Sequence, residues 1–126
     1  MKVTVEWSEA EEVATIFHEN VHIATEADVV EWKRQVYGQL EAIYQRIGKR
    51  PLVLVCIDGI QIEPVMALEY GKGAKHIGEV LSAKLARYGS PNVVRAIIAR
   101  EAVKQGYKAN LFETRDEARR YLMARA

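Results

Sequence analysis

Asp58 closes an apolar run, Pro51-Leu52-Val53-Leu54-Val55-Cys56-Ile57, and Glu63, Tyr70, Lys72, Lys75 and His76 follow it within one short segment. Side chains of these types, placed where a helix begins, can hold a small anionic or polar ligand or meet a protein partner; an equally ordinary reading is a solvated helix face. An aspartate just past a buried strand can also accept a phosphoryl group with help from Mg²⁺. That chemistry needs an acidic pair at the end of the first strand and a lysine after the last, and Trp7-Ser8-Glu9 with Asn110-Leu111-Phe112 supplies neither. The plain role of Asp58 is a turn residue accepting from nearby backbone N–H groups.

Other groupings carry less. Gly71-Lys72-Gly73-Ala74-Lys75-His76-Ile77-Gly78 lacks the spacing of a phosphate loop, and its glycines suit close helix packing or a bend. His18 and His22 lie four apart with no third ligand near in sequence, so no metal site is expected. Cys56 paired with His76 would need an activated thiol, yet an apolar strand raises a thiol's pKa, the wrong direction for a nucleophile. With no nucleophile and partner base to name, the expectation is a protein that is not an enzyme and uses no cofactor. Lys84, Arg87, Arg95, Arg100 and Lys104 make the second half basic, but Glu79 and Glu101 interleave and no aromatic platform accompanies them, so nucleic acid is not expected as a partner.

The elements that position these residues follow from periodicity. Val3, Val5 and Trp7 alternate with Lys2, Thr4 and Glu6 as in a half-buried strand, and Val13 to Phe17 gives a second strand joined to it by a short acidic turn, an antiparallel hairpin. His18 to Ile23 extends that strand or crosses irregularly. Thr25 to Asp28 offers an N-cap to a long helix whose apolar stripe is Val29, Trp32, Val36, Leu40, Ile43 and Ile47, stopped by Gly48; Gly38 within it suggests close packing on another backbone. The run ending at Asp58 reads as a central strand buried on both faces, which draws attention to the loop at its carboxyl end, Asp58 to Lys75.

Met66, Tyr70, Ala74, Ile77, Leu81, Leu85 and Tyr88 make a second helical stripe up to Gly89-Ser90-Pro91, with Met66 to Lys72 open to a loop reading because of its glycines. Asn92 to Ile98 reads as a strand, Arg100 to Gln105 as a short helix closed by Gly106, Lys108 to Phe112 as the last strand, and Thr114-Arg115-Asp116-Glu117 as the capping box of a final helix. The order is strand, strand, helix, strand, helix, strand, short helix, strand, helix, an α/β layer design with parallel later strands.

With 126 residues the chain fits a single domain, 1–126, that buries roughly two-thirds of its unfolded surface. A balance of 18 Lys+Arg against 17 Asp+Glu gives no general field for nucleic acid or anionic lipid. The lone cysteine allows no internal disulfide, the first residues do not read as a signal peptide, and the longest apolar run is too short to span a bilayer. The expectation is a cytoplasmic protein. A hairpin edge open to a second copy makes a homodimer plausible.

Three features together, the element order, Val53-Leu54-Val55-Cys56-Ile57-Asp58-Gly59-Ile60, and the ending Gly106-Tyr107-Lys108-Ala109-Asn110-Leu111-Phe112-Glu113-Thr114-Arg115-Asp116-Glu117-Ala118, resemble the STAS domain of anti-sigma factor antagonists, in its SpoIIAA-like and SEC14-like branch. The resemblance implies a mixed sheet, an amino-terminal hairpin followed by parallel strands, with helices mainly on one face. It also implies a regulatory module that binds a protein partner through the face from Asp58 to Lys75, or, on the SEC14-like side, a carrier of a small hydrophobic or anionic ligand with a pocket between the second helix and the sheet. Signalling members carry Asp-Ser-Ser or Asp-Ser-Thr at the start of the helix after the central strand. Here that stretch is Ile62-Glu63-Pro64-Val65-Met66, which has no hydroxyl, so no phosphoserine switch is expected there.

Overall fold

The computed structural model describes residues 1–124. Strands β1 (Lys2–Ser8) and β2 (Val13–Glu19) form the expected antiparallel hairpin, and β4 (Leu52–Cys56), β6 (Lys84–Tyr88) and β7 (Leu111–Phe112) join it in parallel, in the order β1-β2-β4-β6-β7. A separate parallel pair, β3 (Val21–Ile23) with β5 (Ile60–Ile62), continues from the carboxyl ends of β2 and β4. The fold is therefore α/β with a mixed sheet and four helices: α1 (Glu26–Ile47), α2 (Ala67–His76), α3 (Asn92–Gln105) and α4 (Arg115–Met123).

Alternation along β4 assigns the two faces. Val53 and Val55 pack with Ala14, Ile16, Leu85 and the apolar stripes of α1, α2 and α3, whereas Leu54 and Cys56 pack with Val13, Ala86, Tyr88, and Ala118 and Leu122 of α4. Three helices thus cover one face and α4 part of the other, and β4 is buried from both sides as its apolar run requires.

Helix α1 starts and stops where its sequence says. Thr25 accepts from the Asp28 N–H while Asp28 accepts from the Thr25 N–H, a reciprocal cap, and Gly48 ends the helix at φ 73°. Gly38 packs on nothing; a Cβ there would meet no atom within 4 Å, so its expected close approach is absent. The edge of β1 also differs from expectation. Gln35 and Gln39 reach across from α1 to accept the Val3 and Val5 N–H groups at 2.7 and 2.9 Å, and Gln39 donates to the Val3 carbonyl. The stretch of edge open to a second copy in the sequence reading is already bonded by this chain's own amides.

The second half departs from expectation at two places. The stripe assigned to one helix up to Tyr88 divides: α2 ends at His76, a π-type turn spans Ile77–Leu81, and Leu85 and Tyr88 belong to strand β6. The apolar run Asn92 to Ile98, read as a strand, is the first half of α3. Its buried positions, Val94, Ile97, Ile98, Glu101 and Ala102, step by three and four, but the stripe includes a glutamate and so does not look apolar. Apart from the short strands β3 and β5, which the expected order lacks, the element order survives both changes, because one strand was displaced into its neighbour's residues. Gly106 caps α3 at φ 74°, and Thr114 caps α4 by accepting from the Glu117 N–H.

Candidate functional site

Strand β6 lies inside the sheet, between β4 and β7, yet at its fourth position it carries Arg87, only 2% exposed. The side chain lies on the face of Leu85, beneath α2 and α3. Its backbone N–H donates to the Asn110 carbonyl at 2.8 Å, and its guanidinium donates from Nη1 to the Ala109 carbonyl at 2.7 Å and sits 5.6 Å from the centre of the Tyr107 ring. None of the ion pairs among the described residues includes Arg87. Burial pushes this guanidinium below its ordinary pKa, against which the neighbouring phenols Tyr70 and Tyr107 act.

The walls around it come from two connections. Past the left-handed Gly106 the chain turns back so that Tyr107 lies under α3 and Asn110 reaches the edge of β6, where Asn110 takes φ 49° and its amide donates to the Leu85 carbonyl at 2.8 Å. From the other side the end of α2 brings Lys75, whose ammonium donates to the Gln105 carbonyl at 2.9 Å. Lys75, Gly78, Glu79, Leu85, Arg87, Tyr107, Lys108 and Asn110 are among the residues lining a partly open cavity of about 300 Å³. The Tyr107 hydroxyl is buried without a hydrogen-bond partner, and burial raises its pKa, so it remains a phenol at neutral pH. Lys84 touches the same cavity, but its ammonium donates to the Tyr121 and Ala124 carbonyls at the end of α4.

No family model and no curated protein matches this sequence.

The six residues singled out in the sequence do not converge. Asp58 is exposed at the end of β4 and accepts the Ser90 N–H at 3.3 Å, the turn role, tying the end of β4 to the end of β6. Gly59 beside it has φ 82°, and a Cβ there would lie 2.2 Å from the His18 carbonyl oxygen. Glu63 pairs with His22 at 2.6 Å, both about half exposed. Lys72 pairs with Glu69 one turn earlier on the surface of α2. His76 packs on the ring of Tyr37, with centroids 5.0 Å apart. Of the six, Lys75 alone reaches the cavity. Tyr70 lies in the core, 2% exposed with its ring 4.7 Å from that of Trp32.

The histidines and the cysteine also separate. His18 is buried, accepting from the Trp32 indole at Nε2 and donating from Nδ1 to the Cys56 carbonyl at 2.8 Å, while His22 faces outward to Glu63. Desolvation holds His18 neutral, lowering its pKa from 6.5 to about 4. Cys56 points to the α4 side and His76 lies across the sheet on the α1 side, and burial raises the thiol. Among the described residues no three His, Cys, Asp or Glu side chains group to hold a metal ion, and no helix is long and apolar enough to cross a membrane.

Arg87 and Tyr107 were visible in the sequence only as members of a basic run and of the ending motif. The missed signal was a charge at an inward position of a strand: Leu85-Ala86-Arg87-Tyr88, read as β6, places Arg87 on the same face as Leu85.

Proposed function

We propose that this chain is a non-enzymatic regulatory or protein-interaction module of STAS type, acting in the cytoplasm without the phosphorylatable serine of its signalling counterparts. The resemblance supplies the class, and the α/β arrangement with an antiparallel hairpin leading into parallel strands agrees with it. The observation that carries the reading is the surface at the start of α2: Val65 and Leu68 are 80% and 51% exposed, beside the His22–Glu63 and Glu69–Lys72 pairs. An apolar centre with a charged rim is the composition of a protein-docking patch. The test is capture of partners by the tagged protein from its own host, comparing wild type with Val65→Asp, Leu68→Asp and a remote control, Val103→Asp. A partner held by wild type and the control but lost from the two α2 variants supports the reading; equal capture by all four contradicts it.

A second reading is a small-molecule carrier, favoured by the cavity under α2. At about 300 Å³ that cavity is at the lower limit of small-ligand pockets, which favours a small anionic ligand over a lipid tail.

A further inference from the structure

A buried charge without a counter-charge is costly, and proteins that keep one pair it or hold it ready for a ligand. Arg87 has five N–H donors in a planar fork, and among the described residues its guanidinium makes one hydrogen bond, to a neutral carbonyl. The Tyr107 hydroxyl, a second donor, lacks any partner. Lys75 and the exposed Lys108 bring further positive charge to the cavity wall, and Glu79, the one acid there, is exposed and lies 4.0 Å from the Lys75 ammonium. The one buried carboxylate nearby, Glu101, is bonded by Gln105 and paired with Lys104.

The remaining walls are fixed before any ligand arrives. The Arg87 backbone is held by Asn110, the Asn110 amide by Leu85, and Lys75 by the end of α3. Asn110 itself sits at φ 49°, a conformation that asparagine tolerates better than most residues. Preorganised donors lining a sheltered space are what oxyanion recognition needs, and a guanidinium fork matches two oxygens of one carboxylate or phosphate.

We propose that the cavity between the end of α2, strand β6 and the α3–β7 connection binds a small oxyanion, a phosphate or carboxylate group held by the Arg87 guanidinium and the Tyr107 hydroxyl. This rests on the small-ligand reading. It lies at the opposite end of α2 from Val65 and Leu68, so its failure leaves partner docking standing, and loss of docking leaves it standing.

The test is an NMR titration of the full chain with sodium phosphate and, separately, with sodium succinate, each against sodium chloride at equal ionic strength. The reporters are the Arg87 Nε–H, the Tyr107 amide and the Asn110 side-chain amide. The expected result is saturable movement of these signals with phosphate, succinate or both. Affinity should fall about 30-fold or more in Arg87→Met and several-fold in Tyr107→Phe. Saturation by phosphate alone assigns a phosphorylated ligand, and by succinate alone a carboxylic acid. Movement no greater than with chloride, or equal affinity in wild type and Tyr107→Phe together with Arg87→Met, overturns the proposal. Should Arg87→Met not fold, the wild-type Arg87 signal and Tyr107→Phe decide it alone.

Discussion

The two halves of the sheet satisfy their buried groups differently. Between β1 and β4 the interior is apolar and carries no buried charge: His18 has a partner on each ring nitrogen, the open side of β1 is bonded by Gln35 and Gln39, and the neutral Trp7 indole N–H is the buried donor left without a partner there. Between β6 and β7 a strand of the same depth carries Arg87 with one neutral acceptor, beside an unpartnered Tyr107 hydroxyl and under a helix with Glu101 in its inward stripe. The first arrangement leaves one neutral donor unmet and no charge. The second leaves a buried guanidinium with most of its donors unmet beside an unmet hydroxyl, as a site waiting for an acceptor would.

Substitutions should separate the halves by the size of their effects. Val55→Asp places an unpaired carboxylate in the central strand and should exceed the stability of a domain this size, so circular dichroism should show an unfolded chain; a cooperatively folding variant would remove β4 from the core. Gly59→Ala forces a Cβ against the His18 carbonyl at positive φ and should cost about 3 kcal/mol or more by urea denaturation.

The His18 prediction is one of pH. The unfolded chain takes up a proton as pH falls through 6.5, while the folded chain resists until about 4, so stability is full above that range and declines between the two values. The loss should total about 3 kcal/mol at the acid end. His18→Gln should flatten the slope of urea midpoint against pH, and an unchanged slope would assign the acid sensitivity to other groups. The smallest effect is a gain: Gly38→Ala, exposed in the middle of α1 with open space around it, should stabilise by about 1 kcal/mol.

The same contrast governs how much the residues disclosed. The hairpin, the Thr25 and Gly48 caps, the doubly buried β4 and the Thr114 cap were legible because local propensity, periodicity and burial agree there. Strand β6 was not, since Arg87 breaks its apolar run and the three and four residue steps from Leu81 to Leu85 to Tyr88 imitate a helix. Helix α3 was not, since its β-branched start imitates a strand and Glu101 interrupts its stripe. Both of these failures sit at a buried charged residue. Of the two readings of the α2 glycines, close packing or a bend, Gly71 and Gly73 take the first: a Cβ on Gly71 would strike Gln105 and Glu101, and one on Gly73 the Trp32 ring. The segment from Asp58 to Lys75 was chosen by the rule that sites lie beyond the carboxyl ends of parallel strands, whereas the cavity opens beside β6, one strand further along.

The most direct measurement of the central claim, that Arg87 is kept for a ligand and not for the fold, is the unfolding free energy of Arg87→Met beside wild type in buffer free of phosphate and carboxylates. Methionine fills much of the same volume without a charge to desolvate, so the variant should be as stable as wild type or more so. A loss of about 3 kcal/mol or more would make the guanidinium a structural strut and contradict the account.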